Sequence, residues 1–153
     1  MTNSRRIGLI GYGAIAKVVM DVVHRHSRNT MITAVLVRPG KTNTIELPSG
    51  CQVVHRVEDL IALAPDGIYE CAGHQSVRQY GLEILAAGIA FSIISVGVLA
   101  DEELRNTLME NAAKSGARIS IITGAIAGVE ALSAARFSGL KVVEHKVVKP
   151  PQA

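Results

Sequence analysis

Ile7 to Ala16 read "IGLIGYGAIA", which sets Gly11, Gly13 and Ala16 in the spacing Gly-x-Gly-x-x-Ala. That spacing suits a turn that holds a pyrophosphate. The first glycine makes the tight turn, the second lets the backbone approach the phosphates, and the small third residue lets a helix pack on the preceding strand. The phosphates then lie at the helix N-terminus, where free N–H groups and the dipole favour an anion. Arg5-Arg6 ahead of an uncharged run also looks like the front of a secretory signal, but no cleavage pattern is needed to explain these residues.

A dinucleotide held on such a turn brings its adenosine ribose to the end of the second strand, where a carboxylate would bind the 2′-hydroxyl. Here that place reads Val37-Arg38, with no carboxylate. Arg38 suits a 2′-phosphate, because guanidinium matches phosphate geometry. The expected cofactors are therefore NADP or NAD, with NADP accepted at least as well; an exposed loop arginine is the plainer alternative.

Glu70-Cys71-Ala72-Gly73-His74 closes a fourth strand at the edge where a cofactor would lie, so Cys71 and Ala72 are candidate contacts. Cys71 reads as a packing thiol and not a nucleophile, since no activating partner lies near it in sequence. His74 reads as a loop histidine, facing either ligand or solvent. Ser95-Val96-Gly97 and Thr123-Gly124-Ala125 end the fifth and sixth strands. Their small residues and free N–H groups fit a flat nicotinamide ring, Ser95 foremost, although strand ends are commonly built of small residues. His24, His26, His55 and His145 show no cluster spacing, so no metal site is expected.

These residues need a frame to hold them. Residues 6–10 form a short apolar strand, and Ile15, Val18, Val19, Val22 and Val23 then recur as the stripe of a helix lying on a sheet. Residues 31–37 are a second, near-continuous apolar strand, which completes a βαβ unit. After a loop at Pro39-Gly40 and "KTNT" come a strand over 51–54, a helix over 57–63, and a turn into "IYECA". Ser76 is expected to cap the next helix and Gly88 to stop it. A strand over 91–95, a helix capped by Asp101 and ended by Gly116, and the strand "RISIIT" follow.

Such alternation predicts an α/β fold: a doubly wound, mainly parallel sheet of the Rossmann type, binding NAD(P) at the carboxyl ends of its strands. Residues 1–123 would form that domain. Residues 124–153 read as a linking turn, a short helix and a strand over 142–148, leading towards a second, catalytic domain absent from this chain.

Composition agrees with a globular domain. The 153 residues are 48% hydrophobic and 19% charged, which excludes disorder and allows one domain with a proper core. A net charge of +3, few aromatics and no basic face leave nucleic acid without a docking surface. Cys51 and Cys71 have neither metal-ligand spacing nor the density of a disulfide scaffold, which points to the cytoplasm. Residues 84–100 are seventeen without a charge, but Gly88, Ser92, Ser95 and Gly97 break them into a helix end, a strand and a loop, so no membrane span is expected.

In combination, "GYGAIA", "ECAGHQSVRQYGLEILAAG", "SVGVLADEELRNTLMENAAKSGARI" and "TGAIAGVEALSAARFSGLKVVEHKVVKPP" resemble the L-aspartate dehydrogenase family over nearly the whole chain and in the same order. The resemblance implies a Rossmann domain followed by a second α/β domain. It implies oxidation of the small-molecule substrate L-aspartate with NAD or NADP to iminoaspartate, which yields oxaloacetate and ammonia and can feed NAD biosynthesis. By position, Gly11, Gly13, Ala14 and Ile15 match the family's pyrophosphate turn, and Ala125 its nicotinamide-side contact. Thr123 stands where a serine is usual, Ala127 where a glycine is usual, and Val37 where some members carry the NAD-selecting aspartate.

The family's catalytic histidine lies in the second domain, so the resemblance assigns no catalytic residue here. It implies a chain that binds nucleotide and turns over aspartate negligibly by itself. A related two-domain oxidoreductase acting on another substrate and a non-catalytic nucleotide-binding domain are the alternatives. An uncovered final strand would also favour association, so a homo-oligomer is expected.

Overall fold

The computed structural model describes residues 4–40, 45–124, 128–144, 146 and 148. The chain divides into two compact units, Met1–Ile122 and Thr123–Ala153.

The first unit carries a six-stranded sheet in the order β3-β2-β1-β4-β5-β6. Its strands are β1 (Arg5–Ile10), β2 (Thr30–Leu36), β3 (Gln52–Val54), β4 (Gly67–Glu70), β5 (Ala90–Ile93) and β6 (Ile119–Ile121), and every pairing is parallel. The order reverses between β1 and β4, so a crevice must open at their carboxyl ends.

Alternation along the central strands divides the core. Ile7 and Leu9 of β1 and Val35 of β2 face one layer, while Ile10, Ala34 and Leu36 face the other. Ile32 joins the first layer out of step because the pairing of β1 and β2 slips between Ile7 and Gly8, leaving Thr33 as the extra residue. The Thr33 hydroxyl donates to the Ile7 carbonyl at 3.3 Å, which satisfies a polar group buried at the bulge.

The first layer is closed by helix α1 (Ala14–His26), with only part of the expected stripe turned to the sheet. Ala16 and Met20 are buried and Val19 and Val23 pack beside them, whereas Ile15, Val18 and Val22 are at least half exposed. Both sets keep the helical period, and a helix apolar around much of its girth offers no unique face to the eye. Ala16 and Met20 take the sheet-facing positions, which turns Ile15, Val18 and Val22 outwards.

Helices α2 (Val57–Ala62), α3 (His74–Ala86) and α4 (Glu102–Ser115) cover the other face, with Leu60, Val77, Ile84, Leu85 and Leu108 fully buried. At Gly81 of α3 an added Cβ would lie 2.9 Å from Leu108 Cδ2, so the two helices meet where one has no side chain. Asp101 caps α4 by accepting from the Leu104 N–H at 3.1 Å, and Gly116 ends it at φ +74°. Ser76 does not cap α3. Gly73 holds the N-cap at φ +109°, and Ser76 sits inside the first turn, its hydroxyl bonded to the Gly73 carbonyl at 2.7 Å.

The uncharged residues 84–100 become the end of α3, strand β5 and a 3-10 turn at Val96–Ala100. No helix among the described residues is long and apolar enough to cross a membrane.

The second unit contains α5 (Val129–Ala135) and a 3-10 turn, Arg136–Ser138, that ends on Gly139 in the left-handed region. The strand expected over 142–148 is not formed by its described residues. Backbone alternation alone makes no strand without a neighbour to pair with.

Candidate functional site

At the carboxyl ends of β1, β2 and β4 lies a cleft of about 500 Å³. Its floor is the turn after β1. Gly11, at φ +91°, donates to the Leu36 carbonyl at 2.8 Å, and Cys71 donates to the Ile10 carbonyl at 2.9 Å. The turn is thus held from both neighbouring strands. A Cβ on Gly11 would lie 2.8 Å from the Ala72 Cβ, so glycine is required there by packing as well as by conformation.

Gly13 is different in kind. It is the N-cap of α1 with an ordinary φ of −86°, and a Cβ built on it would meet nothing within 4 Å. No protein atom demands glycine here; a methyl would only take space in the cleft. The first turn of α1 has no acidic residue, and the N-cap has no side-chain hydrogen bond. This end of α1 therefore keeps free donors and a positive dipole for an anion.

Lys17 also lines the cleft, its ammonium 5.3 Å from the centre of the Tyr12 ring. Tyr12 in turn donates its hydroxyl to the Glu46 carbonyl at 2.6 Å, while Ile45 and Leu47 pack on the first core layer. One wall is fastened in this way to the turn after β1.

Arg38 is exposed and lines the cleft just past β2. Val37 before it is buried, donates to the Val54 carbonyl at 3.0 Å, and accepts from His55 Nδ1 at 3.0 Å. The backbone under Arg38 is fixed, and its guanidinium makes no ion pair among the described residues.

Cys71 and Ala72 form the opposite wall. Burial, with the Glu70 charge adding to it, pushes the Cys71 thiol up to about 11, and burial alone pushes Cys51 up to about 11. Both remain neutral thiols near pH 7 and are poor nucleophiles.

The remaining candidates lie in several places. Ala14 and Ile15 are exposed in the first turn of α1. Ser95 follows β5, half buried, with its N–H and hydroxyl turned to Glu70. Ala125 lies outside the described residues. His74 is the first residue of α3 and not a loop residue; a Cβ on Gly97 would come within 3.0 Å of its Nε2, so the imidazole lies against the loop after β5. No group of three metal-ligating side chains occurs among the described residues.

Glu70 is the residue that sequence reasoning passed over. It is fully buried at the end of β4, where its carboxylate gathers donors from the loop after β4, which lines the cleft, and from the loop after β5, which does not. The available signal was an acidic residue closing the apolar strand "IYE", which costs too much to bury without partners.

A family model described as "Homoserine dehydrogenase, NAD binding domain" matches residues 11–121. "L-aspartate dehydrogenase 1" of Bordetella pertussis is 39% identical over 155 residues, covering 100% of this chain and 58% of the relative. The L-aspartate dehydrogenase of Brucella anthropi is 35% identical over 153 residues, covering 100% of this chain and 57% of the relative. The chain thus spans under three fifths of the length of these curated relatives.

Among solved structures, aspartate dehydrogenase from Thermotoga maritima matches with a TM-score of 0.67 at 24% identity, over 88% of this chain and 52% of that one. The WlbA dehydrogenase of Bordetella pertussis, solved with NADH and UDP-GlcNAcA, matches at 0.71 and 16% identity, over 90% and 43%. Likeness at such identity shows the fold.

Proposed function

Because the chain belongs to the family of NAD-binding domains described for homoserine dehydrogenase, we propose that it is the cofactor-holding part of an L-aspartate dehydrogenase. The observation that carries the cofactor half is Gly13: a helix start with free donors, no acidic neighbour and no protein contact that requires its missing side chain. The choice of aspartate is supported by the curated relatives, which align over all of this chain at 35–39% identity.

In this reading the backbone of Gly11 to Gly13 and the first turn of α1, Ala14 and Ile15 included, cradle the pyrophosphate. Arg38 takes the adenosine 2′-phosphate, so NADP is bound at least as well as NAD. Cys71 and Ala72 wall the cleft, and Ser95 and, by its match to the family pattern, Ala125 would contact the nicotinamide. A bound nicotinamide supplies the acceptor for the hydride that leaves the substrate Cα. The chain's own residues orient that ring and supply no base for the amine proton. Iminoaspartate, and from it oxaloacetate and ammonia, would be the products, formed by an oligomeric cytoplasmic enzyme that serves NAD synthesis.

An absorbance assay at 340 nm with this chain, L-aspartate and either nucleotide tests the division of labour. The expected result is no sustained reduction although the nucleotide is bound. Steady aspartate-dependent reduction would show that these residues contain the base after all.

A further inference from the structure

Glu70 is 0% exposed, and no cation meets its carboxylate among the described residues. Burying a carboxylate without compensation is prohibitive, so its charge must be met by dipoles. Oε1 accepts from the Ala72 N–H at 2.7 Å, the Gly73 N–H at 2.6 Å, the Ser76 hydroxyl at 3.2 Å and the Ser95 hydroxyl at 3.1 Å. Oε2 accepts from the Ser95 N–H at 2.9 Å. The group also lies at the N-terminus of the thirteen-residue α3, whose own N-cap offers no side chain.

The sources of these donors matter more than their number. Ala72 and Gly73 belong to the loop after β4, whose Cα and Cβ atoms close against Gly11 at the floor of the cleft. Ser95 belongs to the loop after β5, twenty-five residues further along. Among the described residues, the hydrogen bonds that join these two loops all end on Glu70. Its carboxylate spaces one loop from the other.

We propose that Glu70 is a positioning residue for the nicotinamide side of the site, tying Ala72, which lines the cleft, to Ser95, which does not, without touching the cofactor. The proposal rests on the reading of the cleft as a dinucleotide site. An acceptor is what the three backbone N–H groups of Ala72, Gly73 and Ser95 require, whereas Gln at this position would turn an NH2 group against at least one of them. Asp keeps the charge but is one methylene short of both loops.

The test compares two ligands on the 153-residue chain: NADPH, which carries the nicotinamide, and 2′,5′-ADP, which does not. Glu70→Gln is expected to weaken NADPH about tenfold while leaving 2′,5′-ADP within about twofold, with cooperative unfolding retained. Glu70→Asp, which keeps the charge, is expected to show the same split at about threefold and serves if the Gln variant does not fold. Equal loss of both ligands, or no loss of either, would overturn the positioning role. Wild-type chain that binds neither ligand would overturn the dinucleotide reading instead.

Discussion

Gly11 and Ala72 approach so closely that a methyl group on Gly11 would stand 2.8 Å from the Ala72 Cβ and 3.1 Å from the Cys71 carbonyl oxygen. The contact joins the turn after β1 to the wall after β4, which is where the strand order reverses. Gly11→Ala would meet both this clash and a φ of +91°. It should destabilise the chain by about 1–3 kcal/mol, read from urea unfolding. An unchanged midpoint would mean that the two strand ends are not held as described.

Gly13→Ala should behave in the opposite way. With an ordinary φ and no atom within 4 Å of the new Cβ, stability should change by less than about 1 kcal/mol. Dinucleotide affinity should nevertheless fall about ten- to a hundredfold, because the methyl projects into the space the phosphates need. Titration calorimetry of a variant with an unaltered unfolding curve would separate the two effects.

The thiols set a dependence on alkaline pH. Cys71 rises from an ordinary 9.0 to about 11 in the folded chain through burial and the Glu70 charge, and Cys51 rises likewise through burial. The unfolded chain therefore releases these protons first. Stability contributed by the neutral thiols is complete below about pH 9 and is lost as pH rises towards about 11. Urea midpoints measured from pH 8 to pH 11 should fall more steeply for the wild-type chain than for Cys71→Ala, and iodoacetamide should label Cys71 slowly at neutral pH.

Much of the frame was legible in the residues. Glycine turns, short apolar runs and caps such as Asp101 act through local conformation, so their order gave six strands and the alternation that becomes a parallel sheet. Two local expectations failed for reasons that lie in tertiary packing. The exposed stripe of Ile15, Val18 and Val22 obeys the same period as the buried one, and only the packing of Ala16 and Met20 on the sheet chooses between them. Ser76 has the chemistry of a cap, but Glu70 reaches the start of α3 from the preceding strand and accepts from the Gly73 N–H, so Gly73 takes the cap and the Ser76 hydroxyl lies inside the first turn, 2.7 Å from the Gly73 carbonyl and 3.2 Å from the carboxylate.

Within the cleft, Gly11, Gly13, Arg38, Cys71 and Ala72 were open to reading because a turn and the strand ends beside it follow from chain order. The partners of Glu70 were not, since Ser95 meets it only through the pairing of β4 with β5.

Arg38 offers the sharpest test of nucleotide choice. Its guanidinium stands on a fixed backbone beside buried Val37 and makes no ion pair among the described residues. Arg38→Asp should weaken NADPH about tenfold or more and leave NADH unchanged or tighter, because a carboxylate repels a 2′-phosphate and accepts from a 2′-hydroxyl. Parallel fluorescence titrations give the ratio. A ratio equal to that of the wild-type chain would remove Arg38 from the site.

The central claim is that the cleft at the ends of β1, β2 and β4 holds a nicotinamide dinucleotide on the Gly11 to Gly13 turn. Isothermal titration of the 153-residue chain with NADPH and with NADH tests it most directly. The account predicts saturable binding at one site per chain, with NADPH held at least as tightly as NADH. Heats indistinguishable from dilution for both nucleotides at millimolar concentration would contradict it.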